Sequence, residues 1–162
     1  MKKIIVVLFL IPIVSFCQNS ELSIFENLVG KKWIAEGSWG DGSQFKQEVI
    51  YEYSLDGAIV ITNSIGFIDK EQKTLGPRNH GVRMYDEESD TIKFWEFDVF
   101  GGLTIGIVFT IGKDIYYQYP YGNSFITEVW EYIDETSYNF KVGNYEDGEW
   151  KQLYLSTQFL AK

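Results

Sequence analysis

The chain has 162 residues, a formal net charge of −9 and one Cys, which suits a single acidic domain. Phosphate contacts need Lys and Arg, and anionic lipid surfaces attract basic segments, so this charge argues against a nucleic-acid binder and against a protein held on an anionic membrane surface. Aromatic residues make up 17% of the chain, a content that favours strands and can fill a wide interior.

The first 17 residues have the pattern of a secretory signal peptide. A basic Lys2-Lys3 pair precedes an apolar run over 4–14, which is too short to span a bilayer, and 15–17 resembles a cleavage site. We therefore expect an exported protein, periplasmic or secreted, with its folded domain in residues 18–162.

A lipoprotein acylated at Cys17 is the alternative for this N-terminus. Phe16 argues against it, because such a signal favours a small residue before the Cys. Cleavage after Cys17 removes the only Cys, so the mature domain is expected to contain no disulfide and no reactive thiol.

Residues 19–29 predict one short helix. Ser20 can cap it, Gly30 can end it, and apolar residues recur between them at helical spacing, namely Leu22, Phe25, Leu28 and Val29. We expect this helix to close one end of the structure that follows.

Beyond Lys31 the helical period disappears, and apolar runs alternate with turn signals such as Asp56-Gly57 and Asp147-Gly148. The pattern predicts about ten strands, near 32–39, 44–54, 58–66, 81–86, 91–99, 103–111, 114–121, 124–133, 137–145 and 149–160. Only 68–80, which contains Gly76-Pro77, is predicted to be a long irregular loop.

Ten strands joined in order form a meander, and closure removes its two exposed edges. We therefore predict an all-β fold, an up-and-down antiparallel β-barrel of about ten strands with a short N-terminal helix. A barrel of this size is either filled by side chains or encloses one small ligand.

The clearest hairpin lies in residues 91–111. A three-residue loop at 100–102 pairs Val99 with Leu103 and Trp95 with Ile107, and these residues share one apolar face. Because a half-buried strand turns its apolar face to the core, we expect this face, including Trp95, to point into the barrel. The opposite face, with Phe94 and Glu96, is expected to be solvated.

Turn lengths fix the register elsewhere. A two-residue turn at Asp147-Gly148 is predicted to pair Val142 with Leu153, and the preceding turns then place Glu128 opposite both Val142 and Tyr117. The resulting interior is aromatic with a few polar groups. Its candidate ligand-binding residues are Tyr51, Trp95, Tyr117, Glu128 and Trp130.

Two orientations stay open at this point. An inward Glu128 must be hydrated, paired or protonated, which suits a ligand anchor or an acid/base group. One extra turn residue instead turns it to solvent. Arg83 faces outward, near Phe94 and Glu96, if the turn at 87–90 has four residues, and inward if it has three.

No catalytic residue is assigned, and no cofactor or metal is predicted. The chain lacks a Cys/His cluster, a nucleophile elbow, a P-loop and a dinucleotide fingerprint. Its one His, His80, falls in the predicted loop, where a solvated side chain is the ordinary outcome.

Three segments together resemble a known group of proteins. The segment 25–33, FENLVGKKW, is similar to the helix, Gly and Trp that open lipocalin-like (calycin) barrels, with one extra residue before Trp33. The segment 81–86, GVRMYD, and the closing segment 138–162 resemble a group of small bacterial lipocalin-like domains of unknown function. The resemblance implies a small barrel with an interior pocket and carries over no catalytic residue. It also argues against haem, because haem-binding relatives use a His from the later strands.

These observations favour an exported barrel that binds a small hydrophobic or aromatic ligand. One alternative is a filled barrel that serves as an interaction or structural module. The other is an enzyme that uses acid/base residues of the interior on phenolic or lipid substrates. Nothing in the sequence indicates the oligomeric state.

Overall fold

The ten strands of residues 20–162, the part of the chain that this computed structural model describes, pair in chain order and close where β1 meets β10. The predicted up-and-down antiparallel barrel is therefore confirmed. The strands are β1 (Lys32–Ser38), β2 (Gln44–Ser54), β3 (Ile59–Phe67), β4 (Leu75–Asp86), β5 (Thr91–Asp98), β6 (Leu103–Ile111), β7 (Asp114–Tyr121), β8 (Ser124–Asp134), β9 (Ser137–Glu146) and β10 (Glu149–Ala161). The predicted signal peptide lies outside the described residues.

A 3-10 helix, Ser20–Phe25, closes one end of the barrel. The predicted helix over 19–29 is thus shorter and more tightly wound than its apolar spacing indicated, and Asn19 lies outside the described residues. Leu22, Phe25 and Leu28 are fully buried, so the expected closure of one end is confirmed. Trp33 fixes the segment to β1, because its indole Nε1 donates a hydrogen bond of 3.0 Å to the carbonyl of Leu28. No helix of residues 20–162 has both the length and the apolarity to cross a membrane.

Strand β4 begins at Leu75, so the prediction of an irregular loop through residue 80 is wrong. Gly76 and Pro77 pair with Gly66 and Ile65, and a β-bulge lies beside them. Proline is tolerated in a sheet at such a bulge, which is why Gly-Pro does not end the strand here. A second short 3-10 helix, Leu55–Gly57, joins β2 to β3.

The faces of β5 and β6 are the reverse of the prediction. Phe94 and Val108 are buried, whereas Phe97, Leu103 and Ile105 are 48%, 52% and 47% exposed. The register also differs, because the loop lies at 99–101 and not at 100–102: Asp98 N–H donates to the carbonyl of Gly102, and Phe97 pairs with Leu103.

The packing inside the barrel explains this reversal. A Cβ on Gly106 would lie 2.7 Å from Phe94 Cε1 and 2.9 Å from Tyr119 Cβ. Rings from neighbouring strands already fill that space, so only the face with the small residue fits inside. The bulkier apolar face consequently forms part of the outer surface.

Strand β10 departs from the predicted register as well. Two irregularities, between Trp150 and Gln152 and between Leu153 and Leu155, make Val142 pair with Leu155. Leu155 is buried and Leu153 is 44% exposed. The predicted pairing of Val142 with Leu153 is therefore wrong, although Val142 itself faces inward as expected.

Candidate functional site

The barrel encloses a cavity of about 440 Å³. Its wall includes Phe45, Gly66, Arg78 and Phe100, which lie at the strand ends away from the N-terminal 3-10 helix. The cavity therefore opens at the end of the barrel opposite that helix. Its volume lies within the range of about 300–1,000 Å³ typical of small-molecule sites.

Four of the five candidate ligand-binding residues line this cavity, namely Tyr51, Tyr117, Glu128 and Trp130. The fifth, Trp95, does not. It pairs with Val82 and Ile105 and stands on the outer face of β5, so its predicted interior position is wrong. The cause is the reversed hairpin, which places Phe94 in the wall where Trp95 was expected.

The register around Glu128 is as predicted. Glu128 pairs with Tyr117 on one side and with Val142 on the other. The turn at Gly122-Asn123 has its predicted two residues. At the other end of β8 the turn has two residues, 135–136, and not the predicted three, but a β-bulge between Tyr132 and Asp134 restores the predicted register. Glu128 therefore points into the cavity and not to solvent.

A buried ion pair forms the polar centre of the cavity wall. Arg83 is 5% exposed, and its Nη2 lies 2.9 Å from Glu96 Oε2. This is a contact between opposite charges and not an aligned hydrogen bond, since that oxygen is buried without a hydrogen-bond donor in residues 20–162. Its Nη1 donates a hydrogen bond of 2.7 Å to the Thr62 hydroxyl, and its Nε lies 3.4 Å from the Tyr117 hydroxyl. Each of the three guanidinium nitrogens of Arg83 thus contacts a different oxygen, as the planar, forked geometry of the group allows.

Arg83 was predicted to face outward if the turn at 87–90 has four residues. The turn does have four residues, because Asp86 pairs with Thr91 and Arg83 lies beside Phe94. Arg83 therefore lies beside Phe94 and Glu96, as predicted. Because the face of β5 that carries those two residues lines the interior, Arg83 points inward. Gly81 makes room for it, since a Cβ there would lie 1.8 Å from Arg83 Nη1.

The electrostatics of this group follow from its burial. Burial alone would lower the pKa of Arg83, but Tyr117 and Glu96 outweigh it and raise that pKa above its ordinary value. Burial also raises the pKa of the Tyr51 and Tyr117 hydroxyls. Both phenols are therefore neutral hydrogen-bonding groups at physiological pH.

Glu128 is a carboxyl group of the cavity wall whose pKa lies near neutrality. Burial raises its pKa to about 7, Glu96 adds to that rise, and the hydrogen bond from Tyr119 opposes it. The Tyr119 hydroxyl lies 2.9 Å from Glu128 Oε1. A carboxyl group in this state can donate or accept a hydrogen bond.

Aromatic rings fill the barrel between the cavity and the closed end. Trp130 stacks on Phe159 at a centroid distance of 4.2 Å and meets Tyr51 edge-on at 5.8 Å. Phe25 from the 3-10 helix lies 6.3 Å from Tyr51. Trp130 and Tyr51 therefore belong to the packed core and also present ring surface to the cavity.

Several charged residues of the cavity wall were not predicted, among them Glu96 and Arg78. Glu96 was assigned to the solvated face of β5, and Arg78 fell within the predicted loop. Alternation along β5 would have placed Glu96 inside, had the polar face been chosen. No sequence signal indicates that Arg78 lies in a strand with its side chain turned inward.

No group of three or more His, Cys, Asp or Glu side chains in residues 20–162 is arranged to hold a metal ion. No protein-family model matches the chain, and no curated protein matches it. The geometry of the cavity is thus the basis for any statement about function.

Proposed function

We propose that the protein binds one small molecule, with an apolar or aromatic body, inside the barrel. The observation that carries this proposal is the cavity of about 440 Å³. Rings such as Phe94, Tyr119 and Trp130 provide contact surface, and Glu128 provides a polar group that can exchange a proton. Ten of the 26 residues that line the cavity are aromatic and thirteen are polar or charged, so the wall combines ring surface for a ligand body with groups that can orient it.

The cavity volume favours this reading over a filled barrel. One water occupies about 30 Å³ of the liquid, so the cavity is many times larger than a single trapped water. A structural or interaction module has no need of such a space, and packing it closed would gain stability.

A fluorescence titration tests the proposal. The indole of Trp130 lies in the cavity wall, so a bound lipophile should quench its emission. A panel of aromatic and aliphatic compounds is titrated into the wild type, Trp130→Phe and Trp95→Phe. We expect saturable quenching that is reduced in Trp130→Phe, where Trp39 is the remaining tryptophan of the cavity wall. It should be unchanged in Trp95→Phe, because Trp95 stands on the outer face. Native mass spectrometry should show one bound molecule, and a panel with no binder would contradict the proposal.

A second candidate function is acid/base catalysis in the same cavity. It is favoured by the Glu128–Tyr119 hydrogen bond together with a Glu128 pKa of about 7, since general acids and bases work best with a pKa near the operating pH. Phenolic and lipid members of the panel that bind are incubated with the protein and followed by mass spectrometry. Turnover that Glu128→Gln abolishes without loss of binding would support catalysis, and unchanged compounds would leave binding as the function.

We further propose that the protein is a lipocalin-like domain that is exported. The ten-strand antiparallel barrel is compatible with a calycin-like fold, and the apolar run over 4–14 supports export. The intact mass of the mature protein tests the second point. A mass lacking residues 1–17 is expected, and a cytosolic chain that retains them would contradict export.

A further inference from the structure

The cavity mouth contains a cationic side chain that none of the predicted sites includes. On β3 and β4, Ser64 pairs with Asn79 and Ile65 pairs with Pro77, so Arg78 is the extra residue of a β-bulge. Bulges re-aim a side chain and occur preferentially next to functional sites. Here the bulge adds Arg78 to the cavity wall.

The guanidinium of Arg78 contacts an aromatic ring, but one of its nitrogens has no hydrogen-bond partner in the described part of the chain. Its central carbon lies 4.4 Å from the centroid of the Phe100 ring, within the range of a cation–π contact. Its Nη1 is buried without a hydrogen-bond partner in residues 20–162. Across the bulge, the hydroxyl of Ser64 is also buried without a partner there. Buried donors of this kind are normally paired, so each unpaired one needs an explanation.

Charged neighbours of the cavity do not neutralise Arg78. Glu96 is paired with Arg83, and Glu128 accepts a hydrogen bond from Tyr119. Asp69 accepts hydrogen bonds from two backbone N–H groups of its own loop.

Two other cations line this end of the cavity. Lys46 pairs with Glu36 at 2.6 Å, and the positive charge of Lys70 is offset by the carboxylate of Asp69 beside it in the wall. Arg78 therefore leaves the mouth with an uncompensated positive charge in a chain whose net charge is −9.

We infer that Arg78 binds the anionic head group of the ligand, and that the ligand is a carboxylic acid with an apolar or aromatic body. This inference rests on the proposed function. The planar fork of Arg suits a carboxylate, which it can bind through two parallel hydrogen bonds. The head group then lies at the mouth and the body points towards Glu128.

The length of the cavity limits the ligand. Gly81, which packs against the Arg83–Glu96 pair, is three residues from Arg78 along β4. Three residues of strand span about 10 Å. A carboxylate on Arg78 thus leaves room for a body of about that length before the ion pair is reached.

Matched probes test this assignment. The affinities of 2-naphthoate and 2-naphthamide, and of decanoate and decanamide, are measured by calorimetry near pH 6, where the acids are ionised and Glu128 is largely protonated. We expect each acid to bind about tenfold more tightly than its amide, which corresponds to one charge-assisted contact. In Arg78→Gln this preference should disappear through weaker binding of the acid alone.

The control is Lys73→Gln, which removes the same charge from the exposed loop beside the cavity and should keep the preference. Arg78→Lys keeps the charge but loses the planar fork, so it should retain only part of the preference for the acid. This variant replaces Arg78→Gln in the test if Arg78→Gln does not fold. Equal affinities of acid and amide in the wild type, equal loss of both in Arg78→Gln, or the same loss in Lys73→Gln would overturn the inference. Tight binding of the amides alone would leave the proposed function standing, whereas no binding by any compound would contradict that function itself.

Discussion

Glu128→Gln is the substitution that most sharply tests the description of the cavity. Gln has nearly the same shape, and its carbonyl oxygen can accept the hydrogen bond from Tyr119, but it cannot ionise. Burial holds the pKa of Glu128 at about 7 in the folded protein, against an ordinary value of 4.5. Between these two values the folded chain holds a proton that the unfolded chain has released. The contribution of Glu128 to stability is therefore complete below about pH 4.5 and is lost as the pH rises through about 7.

The size of this effect follows from the two pKa values. Their difference is 7 − 4.5 = 2.5, and each pKa unit corresponds to 1.36 kcal/mol, so the upper limit is about 3 kcal/mol. The side chain of Glu128 is partly exposed to solvent. Water at its exposed edge lowers the free-energy cost of ionising it in the folded protein. We therefore expect about 2 kcal/mol.

Urea unfolding of the wild type and of Glu128→Gln, at intervals from about pH 4 to about pH 8, measures this difference. The two free energies of unfolding should lie close together at about pH 4. They should separate as the pH rises, with the Gln variant more stable by about 2 kcal/mol at about pH 8. Parallel curves over the whole range would show that Glu128 titrates like an exposed carboxyl group and would refute the reasoning.

Three further substitutions test the packing around the cavity, each by urea unfolding. Glu96→Gln should lower the free energy of unfolding by about 3 kcal/mol, because it leaves the Arg83 charge buried without its anion; an unchanged value would rule out a functional ion pair. Gly81→Ala should cost about 1–3 kcal/mol, since its Cβ would lie 1.8 Å from Arg83 Nη1. The control Gly40→Ala, whose nearest atom is 3.5 Å away, should cost much less. Phe25→Ala should cost about 3–5 kcal/mol, because Phe25 is fully buried; a loss below 1 kcal/mol would argue that the 3-10 helix does not close the barrel.

Much of the barrel could be predicted because turn chemistry is local. Pairs such as Gly122-Asn123 set the loop length, the loop length sets the register, and the register correctly placed Tyr117 opposite Glu128. The closure of the sheet follows from the same short connections, since a ten-strand meander otherwise leaves two long edges exposed.

The choice of the inner face in β5 and β6 could not be made in this way. Hydrophobicity favoured the face with Phe97 and Ile105, but the ring of Phe94 and the atoms of β7 beside it leave room only for a Gly at 106. That constraint comes from side chains on other strands, which no local pattern records. The error placed Trp95 inside the barrel and hid Glu96 as a partner for Arg83.

Arg78 was not predicted as a cavity residue for a related reason. Gly76-Pro77 is ordinarily a turn signal, and only the paired strand β3 shows that it belongs to a bulge. The orientation of Arg78 depends on that bulge, so it depends on the tertiary structure and not on the sequence near it.

The most direct test of the central claim is the binding of 2-naphthoate by a protein whose cavity has been narrowed. Val142 lines the cavity and is 5% exposed, so Val142→Phe should take up part of the space without changing the outer surface. Ile105→Gln changes the outer face instead. By calorimetry, the wild type and Ile105→Gln should bind one equivalent with the same affinity, and the folded Val142→Phe variant should bind clearly more weakly. An unchanged affinity in Val142→Phe, or a loss of binding in Ile105→Gln, would place the ligand outside the barrel and contradict the account.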